Sequence, residues 1–444
     1  LTTASVAQES PIIWSPPASF DPQAEGLGLP VLPGVRSETI YDPQRKTTIL
    51  TLDGQPGVQG WLNHHTQIVK YQDWIIVTWT SHLVDENGPG QRLLARLGRL
   101  SDNGDVDWSD QVVELAAPPV AMKPRGTGTN PDYIDGPYIV GRLNIVGGKL
   151  YFKGSVRAYD GWADEARFNG DQTQPIPAEH YGLELDRAKN FKYAMRRDLN
   201  MRFIQSWDIG QGQLVPTSPV YLVVPMVESV EVTPGKHKPV VALNRVYREA
   251  EPIENAPKAI QEAYHAEPDM VFERSVNYPP GTAHLAADGH NALAHWAEYR
   301  RPDGTWVVVR DNLDHRGCYY AATKTRAEDH YPPAVRTNLF GDVDPEAGEL
   351  PDGSVWLIGN DYPRVHFYIT VSKDGIHFDR TWLLYKARVP IRPGLGKTGH
   401  PNGPQYPQTL LHGDKLMVFY SIGKQRIGMS VVPIDRLMKP SAQR

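Results

Sequence analysis

Cysteine is almost missing: Cys318 is the single thiol in 444 residues. No intrachain disulfide can form, so the fold must rest on its apolar core. Long apolar runs are missing as well. Nothing approaches the roughly 18 residues that a membrane helix needs, so no membrane partner is expected. Positive charge is not in excess, with 46 Lys and Arg against 51 Asp and Glu and a net charge of −5. No basic field therefore points to nucleic acid. Helical patterning is scarce, the best stretch being "ENAPKAIQEAYHA" at 254–266. The chain begins at Leu1 rather than Met, as it would after leader removal. A secreted, extracellular monomer without an organic cofactor is expected.

What the chain does have is turns and aromatics: 39 Gly, 39 Pro, 11 Trp and 21 Tyr. Short apolar runs such as "WIIVTW", "KLYFKGSV", "TWVVVRD", "SVWLIGN", "HFYITVS" and "KLMVFYS" alternate with turn signals. Short strands at this spacing indicate an all-β sandwich, barrel or propeller. Weak internal repetition decides among these. An apolar strand, a tight polar turn and a second strand recur in "HHTQIVKYQDWIIVTWTS", "GRLNIVGGKLYFKGS", "AHLAADGHNALAHWAEY" and "QYPQTLLHGDKLMVFYS". A second signature is expected after the third strand of a unit: "LSDNGDVDW" at 100–108, "SWDIGQG" at 206–212, "RPDGTW" at 301–306 and "SKDGIHF" at 372–378. These resemble degenerate Asp-box turns of sialidase-like β-propellers. At roughly 55–60 residues per blade of four antiparallel strands, the chain divides into about seven blades. The expectation is one seven-bladed β-propeller domain over 1–444. Its N-terminal segment, about 37–52, supplies the outer strand of the last blade.

In such a blade the start of the innermost strand and the loop after the second strand share one face. The stretch "NHHTQIVKYQDWIIVTWTSH" at 63–82 then folds back so that His64 and His65 meet His82. The same mapping places Arg142, His284 and Tyr406 at inner-strand starts. It puts Asn360, Arg364 and Lys424 after second strands, and Arg196 and Arg197 in "YAMRRDLN" on the second blade. A strand-end His is ordinarily a hydrogen-bonding surface residue; three on one rim with Arg and Tyr around them form a chemical set. Arg196 and Arg197 cannot both face one ligand from a regular strand, because side chains alternate. His284, His290, His295, His315, Cys318 and His330 make a region with zinc-ligand residue types, although their spacing fits no tight motif. No pair of carboxylates stands out on the rim.

The stretch "NHHTQIVKYQDWIIVTWTSHLVDENGPGQRLL" resembles the first blade of the secreted seven-bladed polysaccharide lyases that act on glucuronate-containing glycans. The stretches "SVWLIGNDYPRVHFYITVSKDGIHFDRTWLL" and "GPQYPQTLLHGDKLMVFYSIGKQRI" resemble their last two blades. The L-rhamnose-α-1,4-D-glucuronate lyases are the nearer resemblance and the ulvan lyases the more distant. It extends over about residues 60–110 and 350–430. One departure is Ser81-His82, where many relatives carry Asn-Gly.

The resemblance implies β-elimination at rhamnosyl-glucuronate ends of an acidic plant polysaccharide, arabinogalactan or gum arabic, with release of an unsaturated uronate. The uronate carboxylate must be neutralised, and Arg suits this because its planar fork binds a carboxylate through two hydrogen bonds. A base then removes the C5 proton and an acid protonates the departing oxygen, tasks within reach of His near neutral pH. The expected roles are Arg142 and Arg196 as neutralisers, His65 or His82 as base or acid, and Tyr406 as helper. His64, Arg197, Asn360, Arg364 and Lys424 are expected to bind substrate. A Ca²⁺ ion near His64 at the axis is a further expectation. The alternatives are a sialidase-like glycoside hydrolase of α-L-rhamnosidase type and a non-catalytic glycan-binding propeller. Hydrolysis would favour two carboxylates at a fixed separation or a Tyr nucleophile, and no F/Y-R-I-P stretch, the sialidase arginine signature, is present.

Overall fold

The computed structural model describes residues 9–439 except 52–53, 58, 83–90, 117–133, 161–193, 224–228, 234–235, 240–250, 267–277, 279–281, 283, 291–292, 313, 342, 363 and 390–402. The chain is mostly β. Among the described residues it forms five sheets of four or more strands and one two-stranded pair, numbered I to V here in chain order. Sheet I starts at Leu62–Tyr71 and continues through Trp74–His82, Arg92–Leu100 and Val106–Ala116. Sheet II starts at Ile134–Val146 and continues through Lys149–Asp160 and Ala194–Gly210. Sheet III runs from Leu293–Arg300 through Trp306–Asn312 and Tyr320–Lys324 to Val335–Arg336. Sheet IV comprises Val343–Glu349, Val355–Asn360, His366–Ser372 and His377–Lys386. Sheet V comprises Pro404–His412, Lys415–Ile422 and Arg426–Pro433. Seven blades are not reached among the described residues. Between sheets II and III lie the hairpin Ser229–Thr233 with Lys236–Pro239 and a helix at Lys258–Ala266.

The apolar cores lie between sheets, which is the propeller arrangement. Trp356, Ile358, Phe367 and Ile369 of sheet IV pack against Leu416, Val418 and Tyr420 of sheet V. Ile76 and Leu97 of sheet I pack against Leu143, Phe152 and Phe203 of sheet II. Ile75, Val77 and Trp79 of sheet I pack against Met417, Phe419 and Met429 of sheet V, so the last sheet meets the first. Because both faces of a second strand are covered, Trp74–His82 reads as a continuous apolar run without strict alternation.

The N-terminal segment divides its pairing. Arg36–Tyr41 runs antiparallel to Arg426–Pro433 on the outer edge of sheet V. Thr48–Leu50 instead pairs parallel with Gln111, Val112 and Val113 of sheet I. The segment spans the seam between the last sheet and the first, and Tyr41 and Trp79 pack across it with ring centroids 5.1 Å apart.

The Asp-Gly turns do not all sit where the repeat predicts. The turn at 372–378 joins the third and fourth strands of sheet IV, and Asp374 Oδ1 accepts from the Ser372 hydroxyl and the Ile376 and His377 amides. The turn at 101–105 occupies the same place in sheet I, with Asn103 as acceptor. "RPDGTW" instead joins the first and second strands of sheet III. The physical reason is that an Asp side chain capping amides two residues on, with Gly at positive φ, serves any tight hairpin; Asp303 and Gly304 do so here.

Candidate active site

The inner strands of sheets I, III, IV and V, like that of sheet II between Asp135 and Tyr138, share one irregularity, a β-bulge near the start. Register shifts fall between His64 and Gln67, Leu293 and Trp296, Val343 and Glu346, and Gln405 and Gln408. In each, two residues on the inner strand face one on its neighbour, which bends the strand and re-aims a side chain. In sheet I the extra pair is His65-Thr66, in sheet III Ala294-His295 and in sheet V Tyr406-Pro407. His65 and Tyr406 are both left-handed, at φ +53° and +52°. That conformation suits glycine, and a side chain there costs about 1–3 kcal/mol unless its surroundings hold it. Two chemically able side chains in equivalent strained positions mark the centre of the face.

Residues from four sheets meet at Tyr406. Its ring lies 4.7 Å from His64 and 5.0 Å from His65 of sheet I, edge to face. From sheet III, His295 lies 5.2 Å away, and its Nε2 is 3.5 Å from the Tyr406 hydroxyl. From sheet IV, the Arg364 guanidinium stands 5.9 Å from the ring centroid. His64 and His65 are themselves 4.2 Å apart.

The bulge in sheet III also builds the support beneath His295. Asp311 faces the extra pair Ala294-His295 across the hairpin, between the ladder partners Arg310 and Asn312. Its Oδ1 accepts the Ala294 amide at 3.0 Å and its Oδ2 lies 2.6 Å from His295 Nδ1. Asp311 is fully buried. A buried carboxylate on one ring nitrogen fixes the tautomer and turns the other nitrogen outward, here towards Tyr406. The result is a chain Tyr406–His295–Asp311 able to move a proton.

The other expected residues take varied places. His64 is fully buried, with Nδ1 2.7 Å from Ser421 Oγ, and so joins sheet I to sheet V. His65 Nδ1 lies 3.3 Å from Thr80 Oγ1. His82 is buried and pairs with Leu62 at the end of the same hairpin. Arg364 donates from Nη1 to Gln405 Oε1 at 2.9 Å. Asn360 is fully buried and donates from Nδ2 to the Pro404 carbonyl at 2.8 Å, tying sheet IV to sheet V. Lys424 accepts the Asn63 amide on its carbonyl at 2.8 Å, across the seam between sheets V and I. Arg142 does not start an inner strand as expected: the strand begins at Ile134, and Arg142 is half-buried further along it, paired with Lys153. Its neighbour Gly141 accepts from Gln67 Nε2 at 3.4 Å. Arg196 is in register with Ala158, and Arg197 falls in a register shift before Asn200. The side chains of Arg196 and Arg197 lie outside the described residues.

Among the described residues no three His, Cys, Asp or Glu side chains converge as metal ligands. His290 faces Asn312, His295 faces Asp311, and Cys318 accepts from Arg336 Nε, so the zinc-type residues are dispersed. The His65 imidazole, the Tyr406 phenol and the Ser421 hydroxyl all stand against His64.

Sequence reasoning placed His65, His64, Tyr406 and Arg364 on the rim, and the structure brings those four together. It grouped His295 with metal-type residues and passed over Asp311. A signal was present: His65 of "NHH" and Tyr406 of "PQY" hold the same place near the start of their inner strands, and His295 of "LAH" sits one place further on.

No protein-family model matches the chain, and no curated protein matches it. Among solved structures, a sialidase aligns with a TM-score of 0.58 at 14% identity, over 95% of this chain and 35% of its own. The chain thus spans about a third of the length of that sialidase, 35%. Trypanosoma rangeli sialidase in complex with the inhibitor DANA aligns with a TM-score of 0.47 at 10% identity, over 90% of this chain and 60% of its own. A structure titled for the GH130 family of mannoside phosphorylases aligns with a TM-score of 0.35 at 11% identity, over 93% of this chain and 98% of its own. At this identity the likeness is one of fold, and the fold is a sialidase-like β-propeller.

Proposed function

We propose that this chain is a glycan-cleaving enzyme that acts on a uronate-containing saccharide by β-elimination. The substrate class is the rhamnosyl-α-1,4-glucuronate ends of arabinogalactan and gum-arabic side chains. The observation that carries the reading is the Tyr406–His295–Asp311 chain beside Arg364 and two further imidazoles. This is a proton-transfer set next to a carboxylate receptor. Asp311 and Asp361, the two described acids hydrogen-bonded to its neighbours, are buried and engaged with backbone amides and His side chains. They do not form the paired acids of a two-carboxylate hydrolase.

In the proposed reaction Arg364 pairs with the uronate carboxylate, with Arg142 and Arg196 as further neutralisers. Neutralisation makes the C5 proton more acidic. Tyr406 passes its hydroxyl proton to His295 Nε2 and takes the C5 proton. The C5 electron pair forms the C4–C5 double bond as the C4–O4 bond breaks. His65 protonates O4, with His82 on the same hairpin as the other candidate. Asp311 stabilises the imidazolium on His295. The 3.5 Å between Tyr406 and His295 is a resting distance of the kind that shortens when substrate fills a site.

A second reading is supported by the sialidase-like fold and by a Tyr with a base partner. Tyr406 would then act as the nucleophile of a retaining hydrolase, a role Tyr takes in sialidases. Incubation with gum arabic separates the readings. A lyase yields an unsaturated uronate with new ultraviolet absorbance, whereas a hydrolase releases saturated sugars only. Binding without any product would sink both.

A further inference from the structure

Outside Arg364 lies a pair of rings that the proposed reaction does not use. His315 and Tyr362 stack with centroids 3.9 Å apart and planes 21° apart. Tyr362 is 47% exposed, one of few large apolar side chains so open among the described residues. The two residues come from equivalent loops. Each loop follows a second strand, Trp306–Asn312 in sheet III and Val355–Asn360 in sheet IV. Both loops therefore open on the face that carries Tyr406.

Both loops are held firmly. Asp361 Oδ1 accepts the Val365 and His366 amides at 2.8 Å each, and its Oδ2 lies 2.8 Å from His366 Nδ1. The Arg364 amide donates to the Asp361 carbonyl at 2.6 Å. In the other loop, the Asn312 carbonyl accepts the His315 amide at 3.0 Å, and its side-chain oxygen accepts the Asp314 amide at 3.0 Å. His315 and Arg364 are both left-handed, at φ +53° and +62°, which persists only where the surroundings impose it. Burial first, and then the nearby Arg364 charge, hold His315 below the ordinary imidazole pKa. The stack is thus an exposed, largely uncharged aromatic surface beside a cation. An aromatic ring fixed with one face towards water suits a ligand that is apolar on one side and hydroxylated on the other. The CH face of a pyranose is such a ligand.

We propose that the His315–Tyr362 stack is a subsite for the neutral pyranose that carries the uronate, one position along the glycan from the ring cleaved at Tyr406. This rests on the glycan-cleaving reading above. Arg364 separates the two positions, with the uronate charge on its Tyr406 side and the neutral ring on its Tyr362 side.

The test uses the full chain and two substrates, a rhamnosyl-glucuronate disaccharide and the trisaccharide that adds a galactose at its reducing end. Tyr362→Ala is expected to raise KM on the trisaccharide about tenfold and to leave the disaccharide unchanged. Tyr362→Phe, which keeps the ring, is expected to restore wild-type KM. Equal effects on both substrates, or none on either, would overturn the subsite. If the wild-type chain cleaves neither substrate, the cleavage reading has failed, and calorimetric titration with galactotetraose then decides the platform. Binding that Tyr362→Ala abolishes and Tyr362→Phe keeps supports it; no binding, or binding that Tyr362→Ala retains, overturns it. Circular dichroism of each variant controls for folding.

Discussion

The Tyr406 hydroxyl faces His295 Nε2 at 3.5 Å across the propeller, from strands that lie 111 residues apart in the chain. Each residue belongs to a bulge in the innermost strand of its sheet, Tyr406 at the first of the two extra positions and His295 at the second. Strand geometry alone would alternate these side chains between the two faces of their own sheets. The bulge breaks that alternation and turns them towards the axis. Function and backbone irregularity coincide here, which is the expected cost of a pre-organised site.

Tyr406→Phe removes the hydroxyl and keeps the ring that packs on His64 and His65. If the hydroxyl moves a proton, kcat should fall by about 10²–10⁴, the usual contribution of general acid–base catalysis. KM should change little, and the melting temperature should stay at the wild-type value. Steady-state kinetics on rhamnosyl-glucuronate substrate, beside a thermal melt, checks both halves.

Asp311→Asn keeps one acceptor for the Ala294 amide but removes the charge that faces His295. The amide side chain also permits the ring to bind in the wrong tautomer. We expect kcat to drop on the order of 10²-fold or more, below the loss from a full knockout of the proton chain. Because Asp311 is fully buried, a stability loss of about 1–3 kcal/mol should accompany it. Wild-type turnover in a folded Asp311→Asn variant would show that His295 needs no orienting acid.

The strands were the most legible part of the molecule. "WIIVTW", "SVWLIGN" and "KLMVFYS" are each rich in the β-branched and aromatic residues that fit a pleated, buried surface. The rim residues His65, Tyr406 and Arg364 were legible because strand ends and the loops after second strands fall on one face in a propeller. Asp311 was not. In "TWVVVRDN" it reads as the polar end of a buried strand, and its contact with His295 depends on a one-residue register shift that no pattern of period two encodes. The blade count was not legible either. Division of the chain by a mean blade length treats all units as equal, yet Ala194–Gly210 is a 17-residue strand and a helix lies between sheets II and III. The turn at 301–306 was misplaced for a simpler reason: the hydrogen bonds of an Asp-Gly turn are local and carry no record of which two strands they join.

Arg364→Lys tests the carboxylate receptor. Lysine keeps the charge but not the planar fork, and it cannot reproduce both the Gln405 contact and a paired grip on a carboxylate. A fall in kcat/KM of about 10–100-fold is expected, since hydrogen bonds to charged groups contribute about 1.5–3 kcal/mol. A kcat/KM for Arg364→Lys equal to wild type would move the neutralising role to Arg142 or Arg196.

Asp374 ties stability to pH. Burial alone would raise its pKa, but the His377 ring and amide, the Ile376 amide and the Ser372 hydroxyl outweigh that and hold it well below the ordinary carboxylate range. A depressed folded-state pKa means that the ionised form is stabilised by folding. The contribution is therefore complete above the unfolded value of about 3.9 and is lost as pH falls through it towards the folded value. Asp374→Ala should cost about 1 kcal/mol at neutral pH, a modest figure because water screens this half-exposed side chain. The gap in melting temperature between variant and wild type should stay constant above about pH 5 and narrow below about pH 4. A gap that does not change down to the acid limit would remove the turn hydrogen bonds as its source.

His65 offers the sharpest separation of chemistry from structure. Its φ of +53° makes alanine a poor probe, because a lost imidazole and a strained alanine would both lower activity. Asparagine tolerates the left-handed region better than other non-glycine residues, so His65→Asn removes the imidazole with little backbone penalty. If His65 protonates the departing oxygen, kcat should fall by about 10²-fold or more, while the melting temperature stays within a few degrees of wild type. The loss should be smaller on a substrate whose leaving group is itself acidic, such as a 4-O-nitrophenyl uronate, because that group needs no proton to depart. His82→Asn is the companion test: His82 is buried at the same open end of the hairpin, paired with Leu62. Equal losses on both substrates for His65→Asn, together with a selective loss for His82→Asn, would transfer the acid role to His82.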